Sequence, residues 1–490
     1  MKNTSCRGQL EVTSRRDFLR TSSFGFGSLA LGNLLQNEPL MGAVSRSLTN
    51  PLAPSPSHFP AKAKSVIFIF MQGGLSQVDS FDPKPALKKY HGQPLPPSFR
   101  TDLELAQIHP YESKLMASRR IFKRRGKSGI EISDLFENLA GHADDLAILR
   151  SCYHESFIHG PALTYLNTGT LLLGGPSMGS WVLYGLGSET DNLPSYIVMT
   201  DDVLRSSTSL FGTGFLPAIY QGTLINTEGK PFQNLSPPNQ IGPQRQRALL
   251  DRVKGWNRNH LQSRPGDSRL EARIENYELA FRMQMAAPEL IDLSQEPQHL
   301  KRTYGLEEEK TQKFGRMCLL ARRMVERGVR FVQLYSDGWD AHGECDKNHL
   351  KNSGKADKPI AALLEDLKQR GMLESTLVVS VGEFGRTPVM QGKNGRDHNP
   401  FGFSAWMAGG GIQGGQAIGA TDDFGFVAVD DKIHVNDLHA CMLTLLGLDH
   451  RKLTYFSQGL EKRLSGVGEG GERGPDLARR LTGGSLAIPA

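Results

Sequence analysis

The chain has 490 residues, 38% of them hydrophobic and 22% charged, with a formal net charge of +6. That balance excludes a disordered or fibrous chain, and the length admits one large domain with insertions or two ordinary ones. A charge so mild over this length is no nucleic-acid footprint, and 53 Gly with 27 Pro require many turns around a regular core.

The N-terminal segment Ser14-Arg15-Arg16-Asp17-Phe18-Leu19-Arg20 has the pattern of a twin-arginine export signal. Residues 24–35 are modestly apolar and too short to span a bilayer, and Met41-Gly42-Ala43 offers small residues for cleavage. The expectation is a signal peptide over 1–43, handled by the twin-arginine translocase, and a periplasmic or secreted mature protein. The alternative is an ordinary basic N-terminus. No later segment is apolar enough for a stable membrane anchor. Residues 44–60, rich in Ser and Pro, read as a linker. The five cysteines show no CxxC spacing, so no zinc knuckle or redox motif is indicated.

A continuous apolar run over 65–71 ends at Gly73-Gly74, as a buried parallel strand does before a functional loop. Helical patterning near 132–140, strands at 146–150 and 193–200, and a polar, helix-like insertion over about 225–300 follow. The second half then alternates: helix 315–328, strand 329–335, helix 357–369, strand 376–381, strand 404–408, helix 437–446. This alternation predicts an α/β fold with a mostly parallel sheet covered on both faces, whose ligands bind at the carboxyl ends of the strands. Residues 465–490, rich in Gly, read as a loose tail.

Three strand-end loops concentrate ionisable groups. Asp337-Gly338-Trp339-Asp340-Ala341-His342 puts an aspartate and an imidazole two residues apart, a spacing that can converge on one cation; alternatively, the carboxylates make Asx-turns. In Gly382-Glu383-Phe384-Gly385-Arg386, Glu383 offers a ligand and Arg386 an oxyanion clamp, or the two form a local ion pair. Arg396-Asp397-His398 offers two more ligands, or a histidine held by its own aspartate. Upstream, Asp79 and Asp82 follow the first strand, and His154 and His159 flank a Glu-Ser-Phe-Ile stretch.

The second half resembles the sulfatase pattern of the alkaline phosphatase superfamily. The resembling parts are Asp357–Val381 with Gly371, Met407–Gly414, and Asp437-Leu438 through Leu448; Thr168-Gly169 matches the end of the sulfatase nucleophile motif. Counting back in that register puts His159 at the nucleophile's position. More closely, the chain resembles the exported family labelled domain of unknown function 1501. The stretches that carry this are Gly73-Gly74-Leu75-Ser76-Gln77, Phe81-Asp82-Pro83-Lys84-Pro85, Cys318-Leu319-Leu320-Ala321-Arg322-Arg323, Trp339-Asp340-Ala341-His342, Gly382–Pro388 and Asp397-His398. The resemblance implies an alkaline-phosphatase-like fold over 61–464.

The departures bear on function. Gln72-Gly73 stands where the superfamily has aspartates, Glu383-Phe384 where it has Asp-His, and Leu163 replaces the motif's arginine. No cysteine, serine or threonine nucleophile occupies that position, so a conventional sulfatase mechanism is not implied. What the resemblance implies instead is a metal-dependent hydrolase, or related transferase, of phosphate or sulfate esters with a remodelled site. Asp337, Asp340, His342, Glu383, Asp397 and His398 would hold one or two divalent ions (Zn, Ca, Mg or Mn). His159 would act as nucleophile or general acid/base, Arg386 as anion clamp, and Asp79 as a further catalytic group. The alternative is a non-catalytic exported protein that keeps the fold to bind a polysaccharide or partner.

Overall fold

The apolar run after Lys64 forms the central strand β1, Ser65–Gln72, buried along its whole length. It is one of nine strands in the main sheet of the computed structural model. This structure describes residues 51–97, 99, 105, 107–109, 112–202, 204, 208–227, 242–264, 267–466 and 470–488. The expected signal peptide and residues 44–50 of the expected linker lie outside the described residues. Residues 52–490 form one compact unit.

The other strands are β2 Leu146–Tyr153, β3 Tyr196–Thr200, β4 Thr223–Leu224, β5 Phe331–Asp337, β6 Thr376–Val381, β7 Phe403–Ala408, β8 Gln416–Ile418 and β9 Ile433–His434. They lie in the order β8-β2-β7-β6-β1-β5-β3-β4, with β9 also pairing β2. Only β7 runs antiparallel, against β2 and β6. The register sets Gln72 beside Asp337 and Phe70 beside Val381, so β1, β5 and β6 deliver their following loops to one edge.

Side chains alternate across a strand, and β1 divides them between two cores. Ile67, Ile69 and Met71 face the helices α5, Glu309–Glu326, and α6, Cys345–Gln369. Val66, Phe68 and Phe70 face α1, His159–Thr168, α2, Met178–Leu186, and α7, Val435–Leu445. The sheet is therefore covered on both faces, as expected. Within 225–300 the described residues form α3, Pro243–Gln262, and α4, Ser268–Ile291.

Three sequence expectations are corrected. The helical pattern near 132–140 is a strand, Ile130–Ser133, followed by 3₁₀ turns; its apolar residues insert into the core without a helical hydrogen-bond ladder. Residues 52–60 are packed rather than linker-like: Phe59 is buried, and Ser55 and His58 donate backbone bonds to Leu186 and Gly447. The loose tail contains a helix, α8, Gly474–Leu481, with Leu477, Ala478 and Leu481 buried. The glycines around it concealed that amphipathic face.

Candidate metal centre

Close backbone packing at the end of β1 builds the site. Gly73 has φ +115°, and a Cβ there would collide with the backbone of Trp339 and Asp340, so only glycine lets the loop after β5 fold over the loop after β1. The Gly73 amide donates to both oxygens of Glu383, at 2.8 and 3.0 Å. Trp339 donates its amide to Gln72 O at 3.1 Å, and its buried ring stacks on Phe136. These contacts hold Asp340 at the carboxyl edge of the sheet.

Three imidazoles converge on Asp340. His159, the first residue of α1, places Nε2 3.3 Å from Asp340 Oδ2. His342 Nε2 lies 3.1 Å from Asp340 Oδ1, and His398 Nε2 lies 3.6 Å from the same oxygen. One donor atom from each of these four residues falls within 4.8 Å of all the others. Each ring is also fixed from behind. His159 Nδ1 is 2.7 Å from Glu383 Oε1, His342 Nδ1 is 2.5 Å from Gln391 Oε1, and His398 Nδ1 is 2.8 Å from Phe157 O. With Nδ1 bonded outward, Nε2 is left to face inward, which is how metal-ligating histidines are held.

The donor set passes a direct test of fit. The inward Nε2 atoms of His159 and His398 are buried and approach the Asp340 carboxylate at 3.3 and 3.6 Å without a well-aligned hydrogen bond, so three imidazoles share one carboxylate at a point that a cation could occupy. Three imidazole nitrogens and one carboxylate suit a borderline cation such as Zn²⁺ or Mn²⁺ better than Mg²⁺ or Ca²⁺, which take oxygen ligands. The site is reachable: the side chains of His159, Asp340 and His342 are 23, 20 and 27% exposed.

The side chains of the cluster are strongly coupled electrostatically. Burial opposes protonation of His159, but bonds to Asp340 and Glu383 overcome it and raise its pKa to about 9. Burial likewise opposes ionisation of Asp340, yet His159, His342, His398 and Arg386 hold its carboxyl far below the usual range. Asp340 raises His342. Burial lowers His398.

Several predicted residues take other positions. Arg386 is fully buried, and its guanidinium donates to Gly73 O, Gly74 O, Arg396 O and Asp340 Oδ1, the last at 2.7 Å. It therefore orients Asp340 and cannot reach out as the expected anion clamp. Glu383 spends its oxygens on Gly73 and His159 and stands behind the imidazole, outside the ligand set. Asp397 accepts backbone bonds from Gln107 and Ile108, at 2.7 and 3.1 Å, and organises the loop. Asp337 accepts from Gln72 Nε2 at 2.8 Å and is not among the four converging residues. Asp79 is bound to Arg396 Nε at 2.8 Å and to Ser76 Oγ at 2.5 Å. Burial opposes its ionisation, but Arg396 keeps its pKa below the usual value; it is a structural ion pair rather than the expected catalytic group. Asp82 pairs with Lys84 at 3.0 Å. His154 approaches Glu383 O at 2.5 Å, and burial lowers its pKa to about 4.

Two participants carried no sequence signal. Gln391 sits in a polar turn like many others, and the Phe157 carbonyl is backbone.

Fold and site together define an α/β protein with a metal-competent three-histidine, one-aspartate cluster at the carboxyl edge of a mostly parallel sheet. The chain belongs to the family described as "Protein of unknown function (DUF1501)", whose profile matches residues 63–472. No curated protein matches it by sequence. Among solved structures it is similar to the lipoteichoic acid synthase LtaP from Listeria monocytogenes (TM-score 0.35, 10% identity, 88% of this chain and 80% of that one). It is also similar to the PsFucS1 sulfatase from Pseudoalteromonas sp. (0.32, 13%, 79% and 68%). A third is the alkaline phosphatase from the Antarctic bacterium TAB5 (0.31, 8%, 79% and 99%).

Proposed function

We propose that the chain is an exported, divalent-metal-dependent hydrolase, or related transferase, of phosphate or sulfate esters. The observation that carries this reading is the convergence of three outward-anchored imidazoles and Asp340 on one partly exposed point. His159, His342, His398 and Asp340 would hold the ion. When bound, the ion supplies Lewis-acid polarisation of the ester's oxygens and acidifies water. The chain's own groups set the geometry: Glu383, Gln391 and the Phe157 carbonyl fix the three rings, and Arg386 fixes Asp340. In this arrangement His159 serves as a ligand, in place of the nucleophile or acid/base role that its register implies. The anionic substrate is attracted by the ion's charge, since Arg386 is committed inside the protein.

The test is turnover on a panel of aryl phosphates and sulfates, before and after chelation and with Zn²⁺ or Mn²⁺ restored. Hydrolysis lost on chelation and regained with the ion supports the reading; hydrolysis indifferent to chelation contradicts it.

Export rests on Arg15-Arg16 and the Phe18-Leu19 that follows. Among the described residues no helix is long and apolar enough to cross a membrane. Arg15→Lys with Arg16→Lys is expected to leave precursor in the cytoplasm; normal processing of that variant in fractionated cells would remove the translocase from the account.

A further inference from the structure

We propose that an apolar groove at the far end of α1 docks the protein on an anionic lipid surface. After α1 the chain runs Thr170-Leu171-Leu172-Leu173-Gly174-Gly175, and Leu172 and Leu173 are each 76% exposed. This exposure is built into the fold. Gly169, with φ +70°, presses so closely on the Leu464 carbonyl that a Cβ would collide with it, and Gly214 presses equally on Gly174. The Leu172 amide donates to Thr170 Oγ1 at 3.2 Å. Both ends of the loop are thus pinned while its leucines point away from the core.

The hairpin Tyr455–Ser457 and Leu460–Lys462, which pairs Tyr455 with Lys462 and Ser457 with Leu460, completes the groove. This register puts Leu460 and Lys462 on one face. Leu460 is 58% exposed. With Leu172, Leu173, Phe215 and Arg463, these two residues line a cavity of about 520 Å³.

Charge selects the occupant. Among the described lining residues, Lys462 and Arg463 are the only charged ones. The Lys462 ammonium sits 4.9 Å over the Phe215 ring and 2.8 Å from Gln458 Oε1. Arg463 donates from Nε to Gly466 O at 2.7 Å and pairs with Glu472 at 4.0 Å. Exposed leucines flanked by cations, with no carboxylate among the described lining residues, match the apolar depth and anionic headgroups of a bilayer interface.

The test is co-sedimentation of the full chain with vesicles of phosphatidylcholine alone or mixed with phosphatidylglycerol. Wild type is expected to pellet with the mixed vesicles, less so as salt rises. Leu172→Ser with Leu173→Ser should lower partitioning about tenfold or more. Lys462→Gln with Arg463→Gln should lower it by up to about 30-fold and erase the preference for phosphatidylglycerol. The N-terminal apolar stretch is the same in every variant, so the differences report on the groove. Unchanged thermal unfolding shows that the variants are folded. Three results would overturn the proposal: no vesicle binding, equal binding by wild type and both variants, or a concentration-dependent dimer that the leucine variants abolish in place of vesicle binding.

Discussion

Two groups of buried ionisable residues lie side by side beyond β1, and they are built on opposite principles. Around Asp79, every charge is answered within the protein. Arg396 binds Asp79 and donates to Thr387 O and Met116 O, and His349 Nε2 accepts the Ser76 amide at 2.9 Å. Around Asp340, the outer nitrogen of each histidine has its own partner, while the inner nitrogens of all three converge on the single Asp340 carboxylate. Both groups have the composition of a site. Only the second turns three outward-anchored imidazoles onto one partly exposed carboxylate, and that convergence, rather than the density of charge, marks a candidate metal centre.

Exchanging the lesion between the two groups tests the comparison most strongly. His398→Ala should lower affinity for Zn²⁺ or Mn²⁺ by about 100-fold or more, a loss at least as large as that expected when an outer-shell partner is removed, with little change in thermal unfolding. Arg396→Ala should destabilise the fold by about 3–5 kcal/mol, because it strands the buried Asp79 carboxylate, while the folded fraction keeps its metal. Metal titration and denaturant unfolding on both variants read the two axes. If Arg396→Ala empties the site and leaves stability intact, the two groups have been assigned the wrong way round.

The residues behind the ligands give smaller effects. Glu383→Gln keeps the size of the side chain but weakens its hold on His159 Nδ1, and should cost about 10–100-fold in metal affinity. Gln391→Ala, which frees one face of the partly exposed His342, should cost about tenfold. Isothermal titration measures both; a Gln391→Ala loss that exceeds the Glu383→Gln loss would reverse the ranking.

The smallest effect expected is a pH signature of the closed group. The pKa of Asp79 is lowered in the folded protein. Its contribution is therefore present above the unfolded value and lost as pH falls through the folded one. Wild type should exceed Asp79→Asn in stability at neutral pH, and the gap should narrow as pH drops below about 4. A gap that stays constant from neutral to acid in paired denaturant titrations would show that the Asp79 charge contributes nothing.

The central sheet was legible because β1 is a continuous apolar run and β5 and β6 are mostly apolar, each ended by glycine or a charged loop, and the alternation of strands with helices predicts a parallel arrangement. Asp340, His342 and His398 were placed near one another by the same logic, each following such a run or its neighbouring loop. The division of labour among them was not legible. Glu383 and Asp340 look alike as carboxylates at strand ends; they differ because the Gly73 amide and His159 Nδ1 occupy Glu383, a contact between residues more than 200 positions apart. Arg386 reads as an anion clamp until three carbonyls and Asp340 surround it. Neither α8 nor the packing of residues 52–60 could be found from composition, because Gly and Pro there terminate and cap segments that tertiary contacts nonetheless bury.

The most direct test of the account is the metal content of the purified protein after equilibration with Zn²⁺ or Mn²⁺ and removal of loosely held ions, compared with that of Asp340→Asn. The convergence of His159, His342 and His398 on Asp340 predicts about one ion per chain in the wild type and a large loss in the variant. A wild type that retains no ion, or a variant that retains as much as the wild type, would contradict it.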